Sequence, residues 1–190
     1  MVALNTPEGD FNFIARDFNL LGVDGKYYTL SNCRGENGLI VMFICNHCPY
    51  VQSIISDLVA DIALLQENYQ VNAVAIMPND VNAYPEDSYE NMINFAKCNR
   101  FTFPYLIDTI QEVAKAYGAV CTPDFFGFNS SLNLCYRGRF DDRKKDKLHG
   151  HLVGSSDLFQ AMKFVAETGS PLTDQKPSIG CSIKWCNNTE

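Results

Sequence analysis

The chain has no apolar run near the eighteen or so residues that a membrane-spanning helix needs, so membrane insertion by a helix is not expected. Met1 to Asp10 carries neither a basic start nor an apolar core, so no secretory signal is read there and the expected compartment is the cytoplasm. Basic residues are outnumbered: 15 Lys and Arg face 22 Asp and Glu, for a net charge of −7. Phosphate backbones need a basic face, so nucleic acid is not expected as a partner. Charged residues make up only 19% and hydrophobic ones 46%, the balance of a globular domain that buries a full core over 190 residues. There is no internal repeat and no second cysteine pair at zinc-finger spacing.

Cysteine is what the chain does have. The eight are Cys33, Cys45, Cys48, Cys98, Cys121, Cys135, Cys181 and Cys186. A long chain with apolar strands and helices does not need a disulfide framework, so most of them are expected to be reduced and buried. Cys45-Asn46-His47-Cys48-Pro49 stands apart. It follows the apolar run Leu39 to Ile44 and opens a pattern with apolar residues at Val51, Ile54, Ile55, Leu58, Ile62 and Leu65. The first stretch has the length of a central strand, and the second has helical spacing. Pro49 suits an early helical position, where its missing N–H costs nothing. Two thiols at a strand-to-helix turn are placed for disulfide chemistry. We assign Cys45 to the helix N-terminus, where free N–H groups and the macrodipole stabilise a thiolate. Cys48, about one turn on, can close a small ring. The other readings of the pair are a structural disulfide or two buried thiols.

Elsewhere, Asp24-Gly25 between Phe18–Leu20 and Tyr27–Leu30 predicts a hairpin. Val71 to Met77 reads as a second buried strand. Asp87 with Glu90 reads as a capping box for a helix carrying Met92, Ile93, Phe95 and Ala96. Phe103 to Ile107 is a short extended piece, and Asp108 or Thr109 caps a helix that Gly118 ends. Asp124–Phe128 and Leu132–Tyr136 form an antiparallel hairpin. Asp141 to Lys147 is a mixed-charge loop. A last helix spans Leu158 to Ala166. We divide the chain into one domain, 1–172, and a tail, 173–190, packed on it or trailing from it. Strands alternating with helices give an α/β fold with a mixed sheet flanked by helices. With the N-terminal hairpin and an extra helix, this is the thioredoxin layout.

The segments Phe43 to Val51, Tyr84-Pro85-Glu86-Asp87-Ser88, Gly118 to Phe126, Tyr136 to Arg139 and Pro177 to Trp185 resemble the peroxiredoxin-like branch of the thioredoxin superfamily, which includes alkyl hydroperoxide reductase and thiol-specific antioxidant proteins. The resemblance implies that Pro123 is the superfamily's cis-proline and that Thr122–Pro123 faces the cysteine pair, lining a substrate groove. No organic cofactor is expected, since the cysteines themselves carry the electrons. Typical peroxiredoxins carry Pro-x-x-x-Thr-x-x-Cys at the active turn. With that cysteine on Cys48, Cys45 replaces the Thr and Val41 the Pro, so the peroxide-binding pattern is incomplete. Arg137 or Arg139 is a candidate for the peroxide-site arginine.

The expected activity is thiol–disulfide oxidoreduction on protein or small-molecule disulfides, by a monomer or homodimer. Cys45 attacks, Cys48 resolves, and His47 between them stabilises the thiolate. Asn46 and Cys121 are further candidates near the pair, and Cys181 and Cys186 are either resolving or idle. The alternatives are a thiol peroxidase, with a sulfenic acid on Cys45 or Cys48, and a metal-binding protein using Cys45, His47 and Cys48 with His149 or His151. A closed zinc site needs four ligands, and no metal is assigned.

Overall fold

The computed structural model describes residues 2–142 and 152–186. His149, His151 and the basic part of the charged loop, from Arg143, lie outside the described residues. Among the described residues, ten strands and five α-helices follow in order: β1 (Ala3–Asn5), β2 (Asn19–Gly22), β3 (Tyr27–Thr29), α1 (Leu30–Cys33), β4 (Gly38–Phe43), α2 (Pro49–Tyr69), β5 (Val71–Met77), α3 (Tyr89–Cys98), β6 (Tyr105–Ile107), α4 (Glu112–Tyr117), β7 (Cys121–Thr122), β8 (Asp124–Asn129), β9 (Leu134–Gly138), α5 (Asp157–Thr168) and β10 (Ile179–Ser182). A 3₁₀ turn, Pro85–Asp87, precedes α3.

Seven strands form the central sheet in the order β3-β2-β6-β5-β4-β8-β9. β4 runs parallel to β5 and antiparallel to β8, so the sheet is mixed. Every residue of β4 is buried, as its unbroken apolar sequence requires. Period-two alternation divides it between two cores. Ile40 and Met42 pack with α2, α3 and α5, through Leu58, Met92 and Met162 among others. Leu39, Val41 and Phe43 pack on the other face with Leu30 and Cys33 of α1 and Val113, Ala114 and Tyr117 of α4. Gly118, at φ 63°, ends α4, and Gly169, at φ 70°, ends α5. These are left-handed caps that glycine adopts without a Cβ penalty. The result is the thioredoxin-like three-layer fold expected from the sequence.

Differences from the sequence reading concentrate at element starts and in the tail. Ser88, rather than Asp87, caps α3, its side chain accepting from Asn91 N at 3.4 Å. α4 starts at Glu112 after Gln111, with Asp108 Oδ2 accepting from Ala114 N at 2.8 Å. β10 belongs to a second sheet of order β1-β10-β7, in which Cys181 pairs with Ala3 on one side and Thr122 on the other. No helix among the described residues is long and apolar enough to cross a membrane.

Candidate functional site

β4 delivers the chain to Cys45, and α2 begins at Pro49 with Cys48 as its N-cap. Pro49 at the first helical position fixes this phase. The thiol at the helix N-terminus is therefore Cys48, three residues beyond the one the sequence pattern suggested. Both sulfurs are fully buried. Facing them is the cis Thr122–Pro123 peptide. Thr122 Oγ1 lies 3.3 Å from Cys45 Sγ, and the Thr122 carbonyl lies 3.0 Å from Cys48 Sγ.

The two thiols titrate as one unit. A hydrogen bond from Cys45 pulls the Cys48 thiol below its ordinary value, against the burial that raises it; Cys181 and the backbone N–H groups of Val51 and Cys181 pull the same way. The Thr122 carbonyl opposes them, since it accepts the proton of a neutral Cys48. One acceptor stands against this set of donors, so the balance favours the Cys48 thiolate. Cys45 is driven up by its bond to that thiolate, then by burial and by the Asp87 charge. These two shifts run in opposite directions and favour the anion on Cys48 and the proton on Cys45.

Beneath the turn lies a carboxylate that the sequence reading assigned to a helix cap. Asp87 is fully buried. Its Oδ1 accepts from Asn46 N at 2.8 Å and His47 N at 3.3 Å. Its Oδ2 accepts from Asn79 Nδ2 at 2.8 Å and lies 2.8 Å from His47 Nδ1. The short Pro85–Asp87 turn points this side chain inward. Asn46 is held on every polar atom: Nδ2 donates to the Glu86 carbonyl, Oδ1 accepts from Tyr105 OH at 3.0 Å, and its carbonyl accepts from Gln52. His47 stacks on Tyr84, with ring centroids 5.6 Å apart and planes 6° off parallel. Asn79, Tyr105 and Gln52 carry no signal in the sequence, and Asp87 carries only its place in the Tyr84-to-Ser88 segment and its capping-box spacing to Glu90. Ligand atoms of Cys45, His47 and Asp87 lie within 4.8 Å of one another. The Asp87 oxygens in this set are already engaged by four donors, His47 Nδ1 among them, and three ligands fall short of the four of a closed zinc site.

The remaining candidates fall into place around this centre. The Arg137 guanidinium donates to Asp124 at 3.0 Å and to the Gly118 carbonyl at 2.8 Å, and covers the Phe126 ring. Arg139 pairs with Asp142 and Asp157. Neither contacts Cys45 or Cys48. Cys121 is buried, its thiol pushed up by burial, and bonds back to the Pro123 carbonyl at 3.5 Å. Cys33 and Cys135 are buried as expected, whereas Cys98 is exposed. Cys181 is brought to 3.1 Å from Cys48, sulfur to sulfur. Pro123 also lines a cavity of about 550 Å³, with Tyr50, Ser53, Ile54 and Ile179. That is the size of a small-ligand site.

A thioredoxin-like fold with two thiols at the start of the helix after its central strand defines a thiol-based redox protein. The AhpC/TSA family model matches residues 13–141. The chain belongs to the AhpC/TSA family. It is similar to an uncharacterized conserved protein of Geobacillus kaustophilus, at 39% identity over 100% of this chain and 99% of that one, with a TM-score of 0.87. A hypothetical protein of Sinorhizobium meliloti 1021 is 38% identical over 97% of this chain and 99% of its own, with a TM-score of 0.86. A peroxidoxin of Mycobacterium tuberculosis, 18% identical over 65% of this chain and 81% of that one, shares the fold at a TM-score of 0.54. No curated protein matches the chain.

Proposed function

We propose that the chain is a thiol–disulfide oxidoreductase whose redox couple is Cys45 and Cys48, with thiol or disulfide compounds as substrates. The observation that carries this reading is the pair itself: Cys48 caps α2, Cys45 lies three residues before it, and both sulfurs face the cis Thr122–Pro123 peptide. Cys48 attacks a substrate disulfide, forms a mixed disulfide and expels one half as a thiolate. The negative charge then leaves Cys48, which removes the main reason for the high Cys45 pKa. Thr122 Oγ1 donates to the Cys45 thiolate that forms. Cys45 attacks Cys48, releases the second substrate thiol and closes the Cys45–Cys48 disulfide. Two electrons pass to the substrate, and the reverse sequence oxidises a dithiol. Asn46, anchored by Asp87, Glu86, Tyr105 and Gln52, keeps the turn rigid. Thr122 and Pro123 form one wall, Pro123 also lines the neighbouring cavity, and with both sulfurs buried the turn has to open for a substrate to reach Cys48.

A peroxidase is the second reading, because Cys48 at the α2 N-cap matches the reacting cysteine of the family pattern. The polarising groups do not match: Cys45 stands for the Thr, and Arg137 and Arg139 are committed to carboxylates. Losing a preorganised donor at a reacting oxygen costs about 10²–10³ in rate. The test is a parallel assay of hydrogen peroxide consumption and small-disulfide reduction. Ready disulfide turnover with slow peroxide turnover is expected. Peroxide consumption near the diffusional range, with sulfenic acid captured on Cys48, promotes the peroxidase instead.

A further inference from the structure

The cysteine in the tail stands against the reacting sulfur. Cys181 Sγ lies 3.1 Å from Cys48 Sγ, 133 residues away in sequence. A disulfide needs about 2.05 Å, so the sulfurs have roughly 1 Å to close. β10 holds Cys181 there by strand pairing, with Cys181 opposite Thr122 and Ser182 opposite Cys121. The approach depends on Gly180, where any Cβ collides with the Thr122 carbonyl. The strand is clamped at both ends. Ser178 exchanges hydrogen bonds with Thr6 and donates to the Pro123 carbonyl. Beyond it, Lys184 N donates to Asn79 Oδ1, and Gln111 binds the Lys184 carbonyl and Cys186 N. Asn79 also donates to Asp87, so one side chain ties the tail to the active turn.

We propose that Cys181 is a third redox residue, which takes the disulfide over from the Cys45–Cys48 couple and forms a Cys48–Cys181 bond. The inference rests on the oxidoreductase reading above. Starting from the Cys45–Cys48 disulfide, Cys181 gives up its proton and attacks Cys48 Sγ. The Cys45–Cys48 bond breaks as the Cys48–Cys181 bond forms. Cys45 leaves as a thiolate, accepts a hydrogen bond from Thr122 Oγ1 and takes up the proton. One S–S bond replaces another, and no outside oxidant is consumed. The same attack resolves a substrate held on Cys48. The outcome is a chain that keeps its oxidising equivalent in a bond fastening the C-terminal strand to the start of α2.

The test oxidises the reduced full chain with oxidised glutathione, blocks free thiols at low pH and maps disulfides by mass spectrometry. Wild type is expected to yield the Cys48–Cys181 link, and Cys181→Ser only the Cys45–Cys48 link. In Cys45→Ser a glutathione adduct on Cys48 should decay at least about tenfold faster than in the Cys45→Ser/Cys181→Ser double variant, because a thiol held in contact acts at high effective concentration. Wild type that carries only the Cys45–Cys48 link, with equal adduct lifetimes in those two variants, overturns the role of Cys181 and leaves the oxidoreductase reading intact. Absence of a Cys45–Cys48 link in Cys181→Ser overturns that reading itself. The wild-type map needs no variant, and Cys181→Ala serves as the second replacement if the serine unfolds the chain.

Discussion

Cys48→Ser is expected to lower disulfide reduction by roughly 10³-fold or more, since the nucleophile itself is gone and with it the sulfur on which the mixed disulfide forms. The same substitution should remove the ultraviolet thiolate absorbance of the reduced protein at neutral pH. The sign follows from the depressed Cys48 pKa. The thiolate is present above the folded value and lost only as pH falls through it, so in wild type the absorbance should decline below pH 7 rather than near the ordinary thiol value of about 8.5. Cys45→Ser, by contrast, should retain the first chemical step. Full turnover in Cys48→Ser, or wild-type absorbance that titrates as an ordinary thiol, means that the roles at the turn are misassigned.

Asp87→Ala should cost about 3–5 kcal/mol of unfolding free energy, the usual penalty for removing one member of a buried charged network. The carboxylate serves Asn46 N, His47 N, Asn79 Nδ2 and His47 Nδ1. Its loss leaves buried donors without an acceptor in the turn that carries both cysteines. For a chain of this length the melting temperature should fall by roughly 6–20 °C. Asp87→Asn keeps an acceptor for the two backbone donors and should lose less. Chemical and thermal denaturation measure both variants. A melting point within two degrees of wild type for the alanine variant shows that the network does not hold the turn.

The frame of this molecule was legible because it is written locally. Leu39 to Ile44 and Val71 to Met77 are too short and too apolar for anything but central strands, and the α2 stripe repeats for about four turns. Glycines at 118 and 169 mark helix ends that need a left-handed residue. What could not be read depends on distant partners. β10 has no period of its own; it is a strand because Thr122 and Ala3 pair with it, and that pairing delivers Cys181 to Cys48. Asp87 sits three residues before a glutamate, as a helix cap does, and only the Pro85 turn reveals that it faces inward. The phase of α2 was available in principle. Proline prefers the first helical position, which makes Cys48 the cap, whereas the Cys-x-x-Cys spacing drew attention to Cys45. Arg137 was a candidate by its segment alone, and its commitment to Asp124 requires the β8–β9 hairpin.

The most direct test of the account is a redox titration of the Cys45–Cys48 couple in glutathione buffers, made on Cys181→Ser so that no third thiol intervenes. A thiolate stabilised by a helix N-terminus and by its own partner favours the reduced form and makes the disulfide a good oxidant. The account predicts one two-electron bond per chain, linking Cys45 to Cys48, with a potential between about −270 mV, the value of thioredoxin, and about −120 mV, that of a strong oxidant. A chain that forms no such bond, or one whose bond titrates at or below about −270 mV, contradicts it.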